Sequence, residues 1–441
     1  MSLTFFMRLH KRPPFTCLLL CAVMLLCQPG TAAEPANQRT RPITLAQSIA
    51  LALQQNHDVR LALAASRAAQ ANLDTANTAP NPTLTVQSAG INPQLGIGPG
   101  SLRDKTVDTS IRIDQLIERG GKRALRTENA SHLQRAADID IQDARRQLAI
   151  SVSQAYYDLL AAQARLGILE DNQNLFDKSL AAARLRKRAG DLAGADLDRL
   201  LADALRAAND RRQAQADAMR ASLALARLLG MPAGDGMLQA TDEWPAPIEP
   251  QMPAQLEASL AARPDVRAAQ ARVDAAEAAR KLALASRTRD VTVGVQYDHY
   301  PSSNANTQGG GNSWAVGVQI PLFVRNHFEG EIRAADAALE SARLTHEKIL
   351  AAARNEALGA WQDVGAAGDK IRRIDADLLA AARRASDAAE FAFKNGAIPV
   401  MDLLDAQRTY RSIQLDAINA RADHAKALAA WNALISPEDK P

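Results

Sequence analysis

The chain has 441 residues, 23% of them charged and only 4% aromatic, and its 52 basic residues face 49 acidic ones. Three of the basic residues, Arg8, Lys11 and Arg12, fall in the first dozen positions, so the remainder is electrically balanced, which argues against a nucleic-acid partner. The cysteines Cys17, Cys21 and Cys27 all lie within the first 27 residues, which leaves the rest of the chain without disulfide or thiol chemistry.

Those first residues read as an export leader, 1–33. A basic start precedes the apolar run Phe15 to Cys27, and Thr31-Ala32-Ala33 offers small residues for cleavage before Glu34. The run is too short to anchor in a bilayer. Thr16, Leu20 and Leu26 precede the three cysteines, a poor setting for lipid attachment. No later run approaches the roughly 20 apolar residues of a membrane-spanning helix, so any crossing must be made by β-strands.

Beyond the leader the chain is written twice, at an offset of about 206 residues. Asp58-Val59-Arg60 recurs as Asp265-Val266-Arg267, and Leu84-Thr85-Val86 as Val291-Thr292-Val293. Ile111-Arg112-Ile113 recurs as Val316-Gly317-Val318, and Gly190 with Asp196-Leu197 as Gly396 with Asp402-Leu403. This divides the chain into a first repeat, 34–231, a Pro-rich linker, 232–253, a second repeat, 254–436, and a short tail, 437–441. In the linker Pro232, Pro245, Pro247, Pro250 and Pro253 forbid a continuous helix.

Each repeat reads as helix, strand, strand and very long helical hairpin. No proline occurs from Gly121 to Met231 or from Leu322 to Ile398. Leu148, Val152, Ala155, Leu159, Ala162, Leu166, Leu169, Phe176, Leu180 and Ala183 follow the 3.5-residue period of supercoiled helices. A helix from Lys122 to Arg188 would be roughly 100 Å long at 1.5 Å per residue, more than a globular domain needs. By themselves these helices fit a soluble coiled-coil rod equally well.

The strands favour a membrane. Val107, Thr109, Ile111 and Ile113 alternate with Asp108, Ser110 and Arg112. Val291, Val293, Val295 and Tyr297 alternate with Thr292, Gly294 and Gln296. Trp314, Val316, Val318 and Ile320 alternate with Ser313, Ala315, Gly317 and Gln319, and Thr83 to Gln87 adds a shorter strand. One apolar and one polar face fit a barrel wall between lipid and water, although any half-buried sheet shares that pattern. Four strands are too few to close a barrel, for which about eight is the minimum, so the chain is expected to oligomerise. The connections Gly90 to Asp104 and Pro301 to Asn312 read as outer loops.

The whole of 44–435 resembles the TolC family of outer-membrane factors. The resemblance rests on the duplicated unit, on Ile320-Pro321-Leu322-Phe323 at a strand exit, and on Gly396-Ala397-Ile398-Pro399-Val400-Met401-Asp402-Leu403-Leu404-Asp405-Ala406-Gln407. It implies a mainly α fold with a membrane β-barrel: four strands per chain, a homotrimer with a twelve-stranded barrel in outer-membrane lipid, and a long periplasmic α-helical barrel. It also implies a periplasmic adaptor and a proton-driven inner-membrane pump as partners. Gly120-Gly121-Lys122-Arg123 at the strand-to-helix turn resembles the CzcC-like branch, which exports cobalt, zinc and cadmium. The glycines permit a sharp turn, and Lys122, Arg123 and Arg126 are candidates for lipid head groups.

By the same resemblance Asp402 and Asp405, three apart on one helix face, line a periplasmic gate. Arg188, Gly190, Lys394 and Gly396 form the adaptor-contact tips. The family's small hydroxyl residue three positions after each glycine is replaced here by Ala193 and Pro399. No catalytic, cofactor or metal-binding set is expected. The histidines are scattered, and His346-Glu347 has Leu350 where a zinc-protease motif needs its second histidine. The expected function is a passive exit duct for divalent heavy-metal cations. A drug or type I secretion duct and a periplasmic structural coiled coil are the alternatives.

Overall fold

The computed structural model describes residues 40–89, 91, 107–190, 192–232, 236–252, 254–301 and 311–435. The expected leader with its cysteines, most of both expected outer loops and the tail lie outside the described residues. In chain order the elements are β1 (Thr40–Ile43), α1 (Leu45–Gln55), α2 (His57–Asn77), β2 (Thr83–Ala89), β3 (Asp108–Ile117), α3 (Lys122–Ala189) and α4 (Gly194–Leu228). Then come β4 (Met237–Ala240), α5 (Leu256–Ala261), α6 (Pro264–Ala285), β5 (Val291–Tyr300) and β6 (Gly311–Gln319). The chain continues through α7 (Glu329–Arg373), a π-helical turn over Ile374–Leu378, α8 (Leu379–Lys394) and α9 (Val400–Ile435). Gly311 and Asn312, expected in a loop, already belong to β6.

Polar caps fix where the short helices begin. Thr44 Oγ1 accepts the Gln47 N–H at 3.2 Å, and Gln47 Oε1 accepts the Thr44 N–H at 3.1 Å. This reciprocal pair satisfies two groups that a helix start leaves without partners. Asn56 accepts the Asp58 N–H at 2.7 Å to start α2 and donates to Leu228 O at 2.9 Å, tying that corner to the end of α4. The second repeat reaches the same geometry by other chemistry. Pro264 occupies the first position of α6, where its missing N–H has no consequence. Buried Arg263 pairs with Asp265 at 2.7 Å and with Glu356 of α7 at 3.0 Å.

The heptad pattern is a packing pattern. Of its ten positions on α3, all but Ala155 and Leu166 are fully buried. The 68-residue length of α3 matches the span of α7, the π turn and α8 together. Unlike α3, this long helix of the second repeat is interrupted by the π turn. One wider turn re-phases the helix, so that Ile371, Ile374 and Leu379 all pack on Ala417 and Ala420 of α9.

The stretch that reads as a linker is stitched to both repeats. Within it β4 pairs in parallel with β1, with Thr40 opposite Met237 and Ile43 opposite Ala240. The buried Tyr156 hydroxyl donates to Ile43 O at 3.2 Å and accepts the N–H groups of Thr241 and Asp242 at 3.1 and 3.0 Å. Burial pushes this phenol up from its ordinary value. Trp244 stacks on Tyr157 of α3, and Trp361 of α7 donates its indole N–H to Pro250 O at 2.9 Å. Around this joint Ile43, Val152, Leu159, Leu225, Leu229 and Leu238 form the largest core cluster among the described residues.

Candidate channel wall, junction and helix tips

The four longer strands form one antiparallel sheet in the order β2-β3-β5-β6. Register sorts the side chains into two faces. Leu84, Ile113, Val295 and Val316 form one cross-strand row, and Val86, Ile111, Tyr297 and Trp314 form the next. All of these but Tyr297 are exposed in the single chain. The other face carries Arg112, Asp114, Gln296 and Asp298. Arg112 meets Asp114 at 2.8 Å, and Gln296 donates to Asp298 at 2.7 Å. The Arg112–Asp114 pair lies close over Gly294, where a Cβ would strike the Asp114 carboxylate. One face is apolar and unpartnered, the other polar and internally paired. The outer edges of β2 and β6 pair with no strand among the described residues.

The predicted strand-to-helix turn lies between β3 and α3. Gly120 and Gly121 both take left-handed conformations, with φ of 71° and 70°. Gly120 also faces Thr288, whose Cβ and Oγ1 would lie 2.9 Å from an added Cβ. Lys122 turns inward, donating to Thr288 O at 2.7 Å and to Asp290 Oδ2 at 2.8 Å, while Asp290 Oδ1 accepts the Arg119 N–H at 2.9 Å. Arg126 pairs with Glu118 at 2.6 Å and donates to Ala76 O at 3.0 Å. Its hydrogen bond holds the Glu118 carboxyl below the ordinary range. Lys122 and Arg126 are therefore committed to protein acceptors, and Arg123 is the exposed cation of the three expected to meet head groups.

The two hairpin tips come together. Gly190 has φ of 88° and accepts its role as the cap of α3 by donating to Lys187 O at 3.1 Å. Gly396 has φ of 72° and donates to Phe393 O at 3.0 Å. Phe176, Leu180, Leu200, Val400 and Leu404 pack between the hairpins, joined by Phe393, above which Arg186 lies 5.3 Å from the ring centre. Arg188 is exposed, and Lys394 is tied to Glu390 at 2.6 Å. Asp402 and Asp405 stand exposed on the first turns of α9. Arg408, which the sequence reading passed over, meets Asp405 at 3.3 Å and Asp203 of α4 at 2.7 Å. Among the described residues no three His, Cys, Asp or Glu side chains converge as a metal-holding group.

The profile of the family described as "Outer membrane efflux protein" matches residues 48–231 and 256–435, one match to each repeat. The chain belongs to that family. This outer membrane efflux protein is 23% identical over 387 residues to the cobalt-zinc-cadmium resistance protein CzcC of Cupriavidus metallidurans, spanning 86% of this chain and 87% of that one. It is 27% identical over 423 residues to the pyoverdine export outer membrane protein OpmQ of Pseudomonas putida, spanning 88% and 86% of the two chains. Among solved structures it shares its fold with the outer-membrane channel OprN, with a TM-score of 0.74 and 24% identity over 89% of this chain and 90% of that one.

Family membership places the efflux protein in the outer membrane, with the long helices on the periplasmic side. The residues that sequence reasoning missed here are long-range partners. Asp290 and Arg408 sit in no motif, and their only sequence signal is a formal charge. His424 of α9, one of the scattered histidines, is fully buried with no hydrogen-bond partner on either ring nitrogen. Burial first, and the nearby Arg372 second, push its pKa down.

Proposed function

We propose that three copies of this chain join their sheets into a twelve-stranded barrel and their helices into a periplasmic tube, forming a passive exit duct. The observation that carries this reading is the four-stranded sheet with an exposed apolar face and two edges that pair with no strand among the described residues. In lipid each unpaired backbone group along those edges costs several kcal/mol, and closure with further copies removes that cost. On this reading the duct performs no chemistry. A periplasmic adaptor engages the tips at Arg188, Gly190, Lys394 and Gly396, and a proton-driven inner-membrane pump delivers the cargo. Asp402 and Asp405 line the gate.

For cargo the proposal is divalent metal cations such as cobalt, zinc and cadmium. Its support is the similarity to CzcC over most of both chains and the Gly120-Gly121-Lys122-Arg123 turn. A sequence free of cysteine beyond residue 27 is compatible with this cargo, because soft thiolates would retain such ions. A second reading, a small organic cargo, is favoured by the similarity to the pyoverdine exporter. Deletion of the gene separates them. Metal cargo requires lower tolerance of zinc, cobalt or cadmium and more cell-associated metal, with drug tolerance nearly unchanged. Normal metal tolerance with sensitivity to organic compounds overturns the metal reading and leaves the duct standing.

A further inference from the structure

The apolar stripe on β6 does not stop where the strand stops. Trp314, Val316 and Val318 point to the lipid-facing side from within β6, which ends at Gln319. The same every-second-residue pattern runs on through Ile320, Leu322 and Val324, where Leu322 is 73% and Val324 77% exposed, as open as Trp314 and Val316 at 73% and 75%. Pro321 prevents a further ladder bond, so the extension is not a continuation of the sheet.

Its shape is nonetheless fixed. Val324 donates its N–H to Leu322 O at 2.9 Å, closing a tight turn. Phe323 is less exposed and meets the Phe328 ring edge-on at 4.9 Å between centres, with the Arg289 guanidinium 5.5 Å from its centre. Phe328 is held at φ of 64° in the left-handed region, which a bulky residue enters only when its surroundings impose it. Asn326 Oδ1 accepts the Phe328 N–H at 2.9 Å. The packed phenylalanines pin the loop, and Leu322 and Val324 stand exposed on it.

At the equivalent place in the first repeat the chain turns at once through left-handed Gly120 and Gly121 into the long helix. There the apolar stripe ends at Ile117, and Glu118, Lys122 and Arg126 form ion pairs with the protein itself. In the second repeat the exposed pair is followed by exposed Arg325 and His327. Apolar side chains bordered by an arginine suit the boundary between acyl chains and phosphate head groups. A neighbouring copy would add its strand in the plane of the sheet, alongside β6, and leave this outward face uncovered.

We propose that residues 320–328 are an interfacial membrane anchor, with Leu322 and Val324 entering the leaflet on the helix side of the barrel at the level of its phosphate groups. The proposal rests on the reading of the sheet as a membrane wall. It is tested in proteoliposomes of phosphatidylethanolamine and phosphatidylglycerol with spin labels on Leu322→Cys, Val316→Cys and Leu185→Cys, the last on α3 near its far end. The unsubstituted chain is labelled in parallel to subtract any contribution from Cys17, Cys21 and Cys27. The expected result is a ratio of oxygen to water-soluble nickel collisions several-fold higher at positions 316 and 322 than at 185, with 322 shallower than 316. If 316 reports lipid while 322 matches 185, the anchor is refuted and the membrane wall stands. A label at 322 shielded from both relaxers means that another copy covers the loop, which also refutes it. A water-exposed label at 316 overturns the wall reading and the anchor with it.

Discussion

The Lys122 ammonium lies 2.8 Å from the Asp290 carboxylate, joining the start of the first repeat's long helix to the first strand of the second repeat. Lys122→Ala leaves Asp290 with the Arg119 N–H alone, and the expected loss is about 1–3 kcal/mol of stability. Burial raises the Asp290 pKa, but the Lys122 hydrogen bond and the Arg119 N–H outweigh it and hold the group below its ordinary value. A depressed carboxylate contributes stability that is present above the unfolded value of about 3.9 and fades as pH falls through the lower folded value. Thermal midpoints of wild type and variant should therefore differ at neutral pH and converge in strong acid. A gap independent of pH would show that the ion pair is not its source.

Gly120 and Gly121 share a left-handed φ, yet only Gly120 has a neighbour where a Cβ would go. Both alanine variants carry a conformational penalty of about 1–2 kcal/mol. Gly120→Ala adds the clash with Thr288 and should be clearly the less stable of the two in chemical unfolding. Equal losses would mean that Thr288 moves aside freely.

Arg408 bridges Asp405 and Asp203, so it offsets part of the negative charge at the proposed gate. In reconstituted channels Arg408→Ala should raise cation selectivity and strengthen block by multivalent cations. Asp402→Asn with Asp405→Asn should do the reverse and raise conductance. Reversal potentials and block unchanged in both variants would reduce the two aspartates to helix-start residues.

His424 is buried neutral, and its folded pKa is lowered by burial and by Arg372. The unfolded chain takes up a proton near pH 6.5, while the folded chain resists it to lower pH. Stability is therefore full above about pH 6.5 and declines below it, toward the folded value. His424→Leu should flatten that decline between neutral and mildly acid pH. An equally steep decline in the variant would assign the acid sensitivity to other groups.

Periodicity carried most of the fold. The recurrence of Asp58-Val59-Arg60 at Asp265 reflects two helices that start at equivalent corners, and the heptad from Leu148 to Ala183 reflects one continuous seam. Alternation in β3, β5 and β6 was legible because a wall between two solvents repeats its chemistry every second residue. Such signals are local, so the sequence by itself determined the duplicated unit, the strands, the hairpin length and the turn glycines. Tertiary structure alone decided that Lys122 faces Asp290, 168 residues away, and that Arg408 reaches Asp203, 205 residues away. It also decided that β4, in an apparent linker, pairs with β1. A single charge or a four-residue strand has no period to announce its partner, and only the packed chain brings the two ends within bonding distance.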